Sequence, residues 1–168
     1  MFETQTAALR TYRENGIALG KIQVSSAVEV DFDNVASPEH AENAYAAFAE
    51  ERYLHQTVIA RDGNTTFHED LSDAMQCEER SGVWRTHFHV PIFSMGTDLW
   101  SSTQTEISRC LAAIPPSEPL PILEIETYAW NVLPSCLHEA AGLASGIAEE
   151  WRWLDSLLAS IRPSGSPS

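Results

Sequence analysis

The chain has 168 residues, of which 43% are hydrophobic, and it carries 24 Asp and Glu against 10 Lys and Arg. A chain of this size can form one ordinary domain with its own core. The formal net charge of −14 argues against nucleic acid and anionic membrane surfaces as partners, because both are bound through clustered basic residues. No apolar run reaches membrane-spanning length, and "MFETQTAALRTYRENG" lacks the basic and apolar blocks of a signal peptide, so we expect a cytoplasmic protein without membrane insertion.

The cysteines and the standard catalytic motifs exclude several chemistries. Cys77, Cys110 and Cys136 are odd in number, widely spaced and without a CxxC pair, so neither a disulfide framework nor a thiolate zinc site is expected. The sequence also contains no GxSxG, no glycine-rich phosphate loop and no HExxH. Any site must therefore be built from other residue types.

The first part of the chain predicts two helices and a strand. A helix is expected over residues 3–14, with Gly16 where a helix usually stops. The segment "GKIQVSSAVEV" is rich in β-branched residues at alternate positions and predicts one strand. Apolar residues at helical spacing from Ala41 to Phe48 predict a second helix, opened by Pro38.

A β-hairpin and a strand follow. "YLHQTVIARDGNTTFHEDL" has two β-prone runs around Asp62-Gly63-Asn64, which is a strong turn signal. Histidines in hairpin or loop context, namely His55, His68 and His138, are expected to be solvated. The segment "WRTHFHVPIF" then predicts a strand that carries a pair of histidines.

The last part of the chain predicts helix, strand and helix. Thr103 and Glu106 have capping-box spacing at the start of one helix. "ILEIETYAW" predicts a strand, and the final helix is expected to bury one apolar stripe: Ile147, Trp151, Leu154, Leu158 and Ile161. Because the main strands alternate with helices, we expect parallel βαβ units in one domain over 1–161, followed by a disordered tail over 162–168.

Three predicted strands share an unusual pattern, with one apolar and one polar face. The polar rows are Lys21, Gln23 and Ser25; Arg85, His87 and His89; and Glu124 and Glu126. Parallel strands that are covered on both sides normally read as continuous apolar runs. We therefore expect a closed α/β barrel in which the apolar faces meet helices and the polar rows converge on an inner site.

Each row also has an ordinary structural explanation. His87 and His89 fit core histidines with satisfied hydrogen bonds, or the solvated face of an antiparallel strand. Glu124 and Glu126 fit the exposed face of an alternating strand. The row that begins at Lys21 fits an ordinary solvent-exposed strand face. The functional interpretation is favoured because all three rows point the same way and two of them supply metal-ligand residue types.

Histidine and glutamate at neighbouring strand ends predict the chemistry of the site. Imidazole nitrogen and carboxylate oxygen suit a divalent ion such as Zn, Mn or Mg, with open positions for water or substrate. His89 and Glu126 lie furthest along their strands and are predicted as the metal ligands and catalytic pair. A deeper layer is expected to bind and orient the substrate: Lys21, Gln23, Arg85, His87 and Glu124.

The phrases "GKIQVSSAV", "ERYLHQ", "THFHVPIF" and "LEIETYAWNVLP" resemble the C-terminal half of the EboE-like metabolite-traffic family, from about Phe2 to about Leu157. That family is part of the xylose isomerase-like, or sugar phosphate isomerase/epimerase-like, TIM barrels. The resemblance implies that the chain is the C-terminal portion of a (β/α)₈ barrel, with its sixth to eighth strands and an inserted hairpin. It also implies a small-molecule metabolite as ligand, and as partner either the missing N-terminal half or a second copy.

The resemblance leaves two functions open. Glu126 matches the family's metal-binding acid/base at the end of the last strand, which favours a metal-dependent isomerase or epimerase. Gln23 and Ser25 stand where a His usually ends the sixth strand as a ligand, which favours a non-catalytic barrel that binds or carries a metabolite.

Overall fold

A computed structural model describes residues 2, 4–126, 133–134, 137 and 142–162. The helices are α1 (Gln5–Glu14), α2 (Pro38–Ala46), α3 (Leu71–Ala74), α4 (Gln104–Ala112) and α5 (Gly142–Ile161). The strands are β1 (Lys21–Val24), β2 (Ser26–Asp31), β3 (Thr57–Arg61), β4 (Asn64–His68), β5 (Val83–Val90), β6 (Ser101–Ser102) and β7 (Ile122–Ile125). The mixed α/β class is therefore confirmed.

The described strands form two separate sheets and no closed barrel. Strands β1 and β7 pair in the expected parallel direction, but they adjoin directly, whereas the sixth and eighth strands of a barrel would have the histidine strand between them. The other five strands form an antiparallel sheet in the order β4-β3-β5-β2-β6. The expectation of three parallel strands was thus wrong for the histidine strand β5, whose neighbours are β2 and the hairpin strand β3. Strands β2 and β3 both run opposite to β5 and pair with it. The alternation of helices and strands along the sequence did not predict this strand direction.

The segment predicted as one strand is divided at Ser25 into β1 and β2. Val24 packs with the helices beside the parallel pair, whereas Val28 and Val30 belong to the core of the antiparallel sheet. A β-bulge between Ala27 and Val28 shifts the pairing with β5. The two apolar stretches therefore serve two different cores.

The first core lies between the antiparallel sheet and the short helices α2 and α3. Its largest side chains are aromatic and meet edge to face: Phe32, Tyr45, Phe48, Trp84, Phe88 and Trp100. Such contacts add specific geometry to the hydrophobic burial. Helix α2 begins at Pro38, as predicted, and buries Ala41 and Tyr45 against this core.

Three hydroxyl groups are buried within the first core and satisfy one another. The hydroxyl of Tyr45 lies 2.7 Å from Oγ1 of Thr86, which lies 2.7 Å from Oγ1 of Thr57. The Thr57 hydroxyl donates to the carbonyl oxygen of His55. Burial raises the pKa of the Tyr45 phenol well above its usual value. The phenol therefore keeps its proton and remains a donor inside the core.

The second core joins α1, α4 and α5 to the parallel pair. Leu111, Leu154 and Ile92 are fully buried in it. The predicted stripe of α5 is wrong at Trp151, which is 51% exposed. Glu150 is buried instead, and one of its carboxylate oxygens accepts the backbone N–H of Ile92 at 3.0 Å. Glu150 is thus buried, although its polar side chain predicted a position on the surface of the helix.

Two local predictions have opposite outcomes. Asp62 and Gly63 both have positive φ, at 51° and 77°, which confirms the tight turn between β3 and β4. The capping box at Thr103 is wrong, because the Thr103 side chain makes no cap bond to α4. Its Oγ1 instead accepts the N–H of Ala27 at 2.8 Å. The Thr103 hydroxyl therefore bonds to the start of β2 and does not cap α4.

Several predictions fall at the limits of the described residues. Arg162, expected at the start of a disordered tail, donates to the carbonyl oxygens of Pro115 and Glu118. Residues 163–168, the predicted strand beyond Glu126, Cys136 and His138 lie outside the described residues. Among the helices that are described, none combines the length and apolar character needed to cross a bilayer.

Candidate functional site

A cavity of about 390 Å³ lies where β1, β2, β5 and α4 meet. Its polar lining includes Gln5, Gln23, Arg85, His87, His89 and Glu106. Its apolar wall comes from β1 and from the inner side of α4, through Ile22, Val24 and Ile107. The volume falls within the range of small-molecule sites, which combine an apolar wall with a few placed polar groups.

Alternation along β5 directs the histidines toward this cavity. Trp84, Thr86 and Phe88 are buried on the face that packs in the first core. His87 and His89 therefore occupy the opposite face, where both line the cavity. The predicted separation of β5 into an apolar and a polar face is confirmed.

The two imidazoles contact each other directly. Nε2 of His87 lies 2.8 Å from Nε2 of His89, and the ring centroids are 4.8 Å apart. His89 is 6% exposed. Burial lowers the pKa of His89 to about 4; the neighbouring His87 adds to the shift, and a hydrogen bond with the backbone of Glu126 opposes it. His89 is therefore neutral near pH 7, and one ring of the pair donates while the other accepts.

His89 also lies beside Glu126, the residue predicted to act with it. Nδ1 of His89 and Oε2 of Glu126 are 3.8 Å apart. Glu126 is positioned by the parallel pair, because its N–H donates to the carbonyl oxygen of Val24 at the end of β1. The structure thus brings these two predicted residues together from different sheets, and their chemical roles stay predictions.

Arg85 lies at the rim of the cavity and is already engaged. Its Nε donates to Oε2 of Glu29 at 2.5 Å, and the two residues face each other across β5 and β2. The guanidinium also stacks on the ring of Phe2, 4.5 Å from its centroid. Glu29 was not predicted, although it occupies the polar face of the alternating run that became β2.

Lys21 and Glu124 lie away from the histidines. Their side chains are half exposed and form an ion pair at 2.5 Å on the outside of the parallel pair. Neither residue lines the cavity. That both belong to a deeper layer of the site stays a prediction; in the structure the two residues pair with each other outside the cavity lining. Gln23, which is the register partner of Glu124, does line the cavity.

Helices contribute groups that the strand pattern did not predict. Gln5 from α1 and Glu106 and Cys110 from α4 line the cavity. Burial raises the pKa of the Cys110 thiol, which keeps it protonated. An amphipathic helix shows which face is apolar, but it does not show that polar residues at the border of that face will meet a particular strand.

His55, predicted to be solvated, is in fact 1% exposed. Its Nε2 lies 3.0 Å from a carboxylate oxygen of Glu50, and its ring contacts Phe88 in the first core. This histidine packs on the core face of the sheet, away from the cavity. The residues just before His55 are exposed, so the local sequence did not indicate that His55 itself is buried.

The described residues do not by themselves make up a metal centre. Within the part of the chain that the structure describes, no three His, Cys, Asp or Glu side chains come close enough to hold one ion. The two ring nitrogens of His89 face different partners, with Nε2 toward His87 and Nδ1 toward Glu126. Because the two nitrogens point in different directions, these contacts do not converge on one point. The divalent metal therefore stays a prediction.

Comparison with known proteins gives no family assignment. No protein-family model, no curated protein and no solved structure matches this chain. The functional argument therefore depends on the geometry of the cavity.

Proposed function

We propose that this chain binds a small polar metabolite in the cavity beside His87 and His89. The observation that carries the proposal is the pair of Nε2 atoms 2.8 Å apart, held at the wall of a cavity of about 390 Å³. The two Nε2 atoms already bond to each other, so a ligand hydroxyl would enter this contact in place of one of the rings, because a hydroxyl both donates and accepts. Gln23 adds an amide, which likewise donates and accepts.

The charges around the cavity favour an uncharged, hydroxyl-rich ligand. Arg85 is paired with Glu29, and Glu106 is paired with Arg109 at 2.6 Å. These pairs leave the imidazoles of His87 and His89 and the amides of Gln5 and Gln23 as the main recognition groups. Polyols and sugars match such a lining because each hydroxyl both donates and accepts.

This proposal agrees with a metabolite-handling role of the EboE-like kind. The support from the fold is the parallel direction of β1 and β7 and the helices packed beside them; a barrel would place its seventh strand between this sixth and eighth strand. The contact between His89 and Glu126 favours a second candidate, an isomerase- or epimerase-like reaction in which these two groups move a proton. A divalent ion, if bound there, would polarise the substrate's carbonyl.

A binding experiment with and without chelator separates the two candidates. The chain is titrated with glycerol, sorbitol and methyl glycosides in the presence of EDTA, and then with Zn, Mn or Mg. For the binding function we expect saturable binding that survives EDTA, with no chemical change in the ligand. His87→Ala should weaken the binding about tenfold or more, whereas His40→Ala on α2 should leave it unchanged, because His40 does not line the cavity.

Two results would redirect the proposal. Binding or turnover that requires a stoichiometric metal and is lost in Glu126→Gln would favour the catalytic candidate. An absence of saturable binding to every probe, with the chain folded by circular dichroism, would reject the cavity as a polyol site.

A further inference from the structure

Exposed apolar side chains lie on the same face of the antiparallel sheet as the histidines. Phe67 on β4 is 57% exposed and Leu54, just before β3, is 71% exposed. Val58 on β3 is half buried, and β3 lies between β4 and β5. We call these three residues the apolar patch. Its position relative to the cavity follows from the strand register.

The register places the apolar patch directly beside Arg85. Phe67 is paired with Val58, and Val58 is paired with Arg85. Adjacent strands are about 5 Å apart, so the Phe67 backbone is about 10 Å from that of Arg85. Side chains that are paired in this way lie on one face and within contact distance of their neighbours.

Leu54 belongs to the same face as Val58. Residues 54–60 alternate between exposed or half-buried and buried positions, with Leu54, Gln56 and Val58 on the outer side. The pairing of β3 with β5 also continues toward Leu54, since the N–H of His87 donates to the carbonyl oxygen of Gln56 at 2.8 Å. The strand that carries the apolar patch is thus bonded to the strand that carries the histidines.

The apolar patch is continuous with the cavity through Arg85. Arg85 lines the cavity and is paired in register with Val58 on the neighbouring strand β3. The ring of Phe2 covers its guanidinium at 4.5 Å and adds a further apolar surface at the rim. A ligand that fills the cavity and extends past Arg85 would lie on Val58 and Phe67.

We infer that the ligand of this site is amphipathic, with a hydroxyl-rich part in the cavity and a flat aromatic or hydrocarbon part on the apolar patch. The inference rests on the proposed polyol-binding function and adds a substrate class to it. An aromatic ring would contact the exposed ring of Phe67, which gains by leaving water. Arg85, whose guanidinium is paired with Glu29, lies between the cavity and the apolar patch.

The extent of the apolar patch favours a small molecule over a protein as its occupant. A stable protein interface buries about 800 Å² on each partner and usually about 20 residues or more. Three side chains next to a cavity do not provide such an area. They do match the size of one ring or a short hydrocarbon chain attached to a polar head.

The test uses two probes that differ only by a phenyl group, glycerol and its phenyl ether. Binding to the whole chain is followed by amide chemical shifts in NMR spectra, which also locate each probe. We expect the phenyl ether to bind about tenfold more tightly than glycerol and to shift amides on β3 and β4 as well as β5. Phe67→Ala should remove that advantage and leave glycerol binding unchanged.

A matched control is Met95→Ala. Met95 is 73% exposed but lies beside β6, at the opposite edge of the sheet from β4. Equal affinity for both probes, or equal losses in Phe67→Ala and Met95→Ala, would overturn the inference and leave the polyol site standing. Binding of the phenyl ether that is unaffected by His87→Ala would overturn both proposals, as would a lack of binding by either probe. A change of sedimentation in Phe67→Ala would identify the patch as a self-association surface instead.

Discussion

The Nε2 atom of His87 lies 2.8 Å from the Nε2 atom of His89, on the cavity face of β5. A contact of this length requires one ring to donate and the other to accept, so it depends on the protonation state of both rings. His89 is buried and its pKa is lowered to about 4. The geometry at the centre of the candidate site is therefore linked to pH.

Acidification should destabilise the protein through His89. An imidazole with a pKa of about 6.5 in the unfolded chain and about 4 in the folded protein binds its proton mainly after unfolding. Its contribution to stability is fully present above about pH 6.5 and is lost as the pH falls toward 4. We expect a loss of about 2 kcal/mol in the free energy of unfolding between about pH 7 and about pH 5.

Urea denaturation of wild type and His89→Gln at several pH values checks this linkage. Carboxylates titrate in both proteins, so the difference between the two curves isolates the imidazole. The wild-type free energy of unfolding should fall more steeply than that of His89→Gln over this interval. Parallel curves would mean that His89 accepts its proton as readily in the folded protein as in the unfolded chain.

The buried hydroxyl network of the first core should be energetically coupled. Tyr45→Phe removes the phenol that lies 2.7 Å from Thr86, and Thr86→Val removes its partner. Each change should lower the free energy of unfolding by about 1 to 2 kcal/mol, because a buried polar atom loses its bond. The double variant should lose less than the sum, since both changes break the same contact. Tyr12→Phe on the exposed face of α1 serves as control and should have little effect.

Two glycines with similar backbone angles should differ in their tolerance of a side chain. Gly63 and Gly82 have φ values of 77° and 73°. A Cβ at Gly63 meets nothing within 4 Å, whereas at Gly82 it would lie 2.4 Å from the carbonyl oxygen of Ala60. Gly63→Ala should cost about 1 kcal/mol for the left-handed conformation. Gly82→Ala should lower the free energy of unfolding by at least about 2 kcal/mol more, because the backbone at Ala60 must move away from the new Cβ.

Thermal or urea unfolding of the two glycine variants measures this difference. Equal losses would show that the strand carrying Ala60 yields without cost at Gly82.

Glu150 should stabilise the segment that follows the histidines. Its carboxylate accepts the N–H of Ile92, while the side-chain amide of Gln104 donates to the carbonyl oxygen of the same residue at 2.8 Å. Glu150→Ala should lower the free energy of unfolding by about 2 kcal/mol, because the buried N–H of Ile92 loses its acceptor. Asp155→Ala, on the exposed side of the same helix, should change it by less than about 0.5 kcal/mol. Equal effects of both substitutions would assign the loss to the helix itself.

Periodicity gave the polar face of β5 correctly, because a strand alternates its side chains whatever its neighbours are. For the same reason the separation of Gln23 from Ile22 and Val24 was predictable, as was the turn at Asp62-Gly63, which depends on local backbone angles. Such features are decided within a few residues. They are the part of the candidate site that was accessible from the sequence.

Pairing between strands was not accessible in the same way. Parallel neighbours were predicted for β5, but β2 and β3 pair with it in antiparallel fashion. As a result Lys21 and Glu124 face solvent, and Glu29 pairs with Arg85. Alternation states which residues share a face, but it carries no information on which strand lies alongside.

The amino-acid sequence by itself determined the mixed α/β class, the hairpin, the acidic surface charge and the placement of two histidines on one polar strand face, since these depend on composition and short-range geometry. Tertiary structure alone decided that the chain divides at Ser25 into two sheets, that the N–H of Glu126 bonds to Val24 and its carboxylate meets His89, and that an apolar patch adjoins the cavity. Those relationships join residues far apart in the chain, and they are fixed by packing and hydrogen bonding over the whole fold.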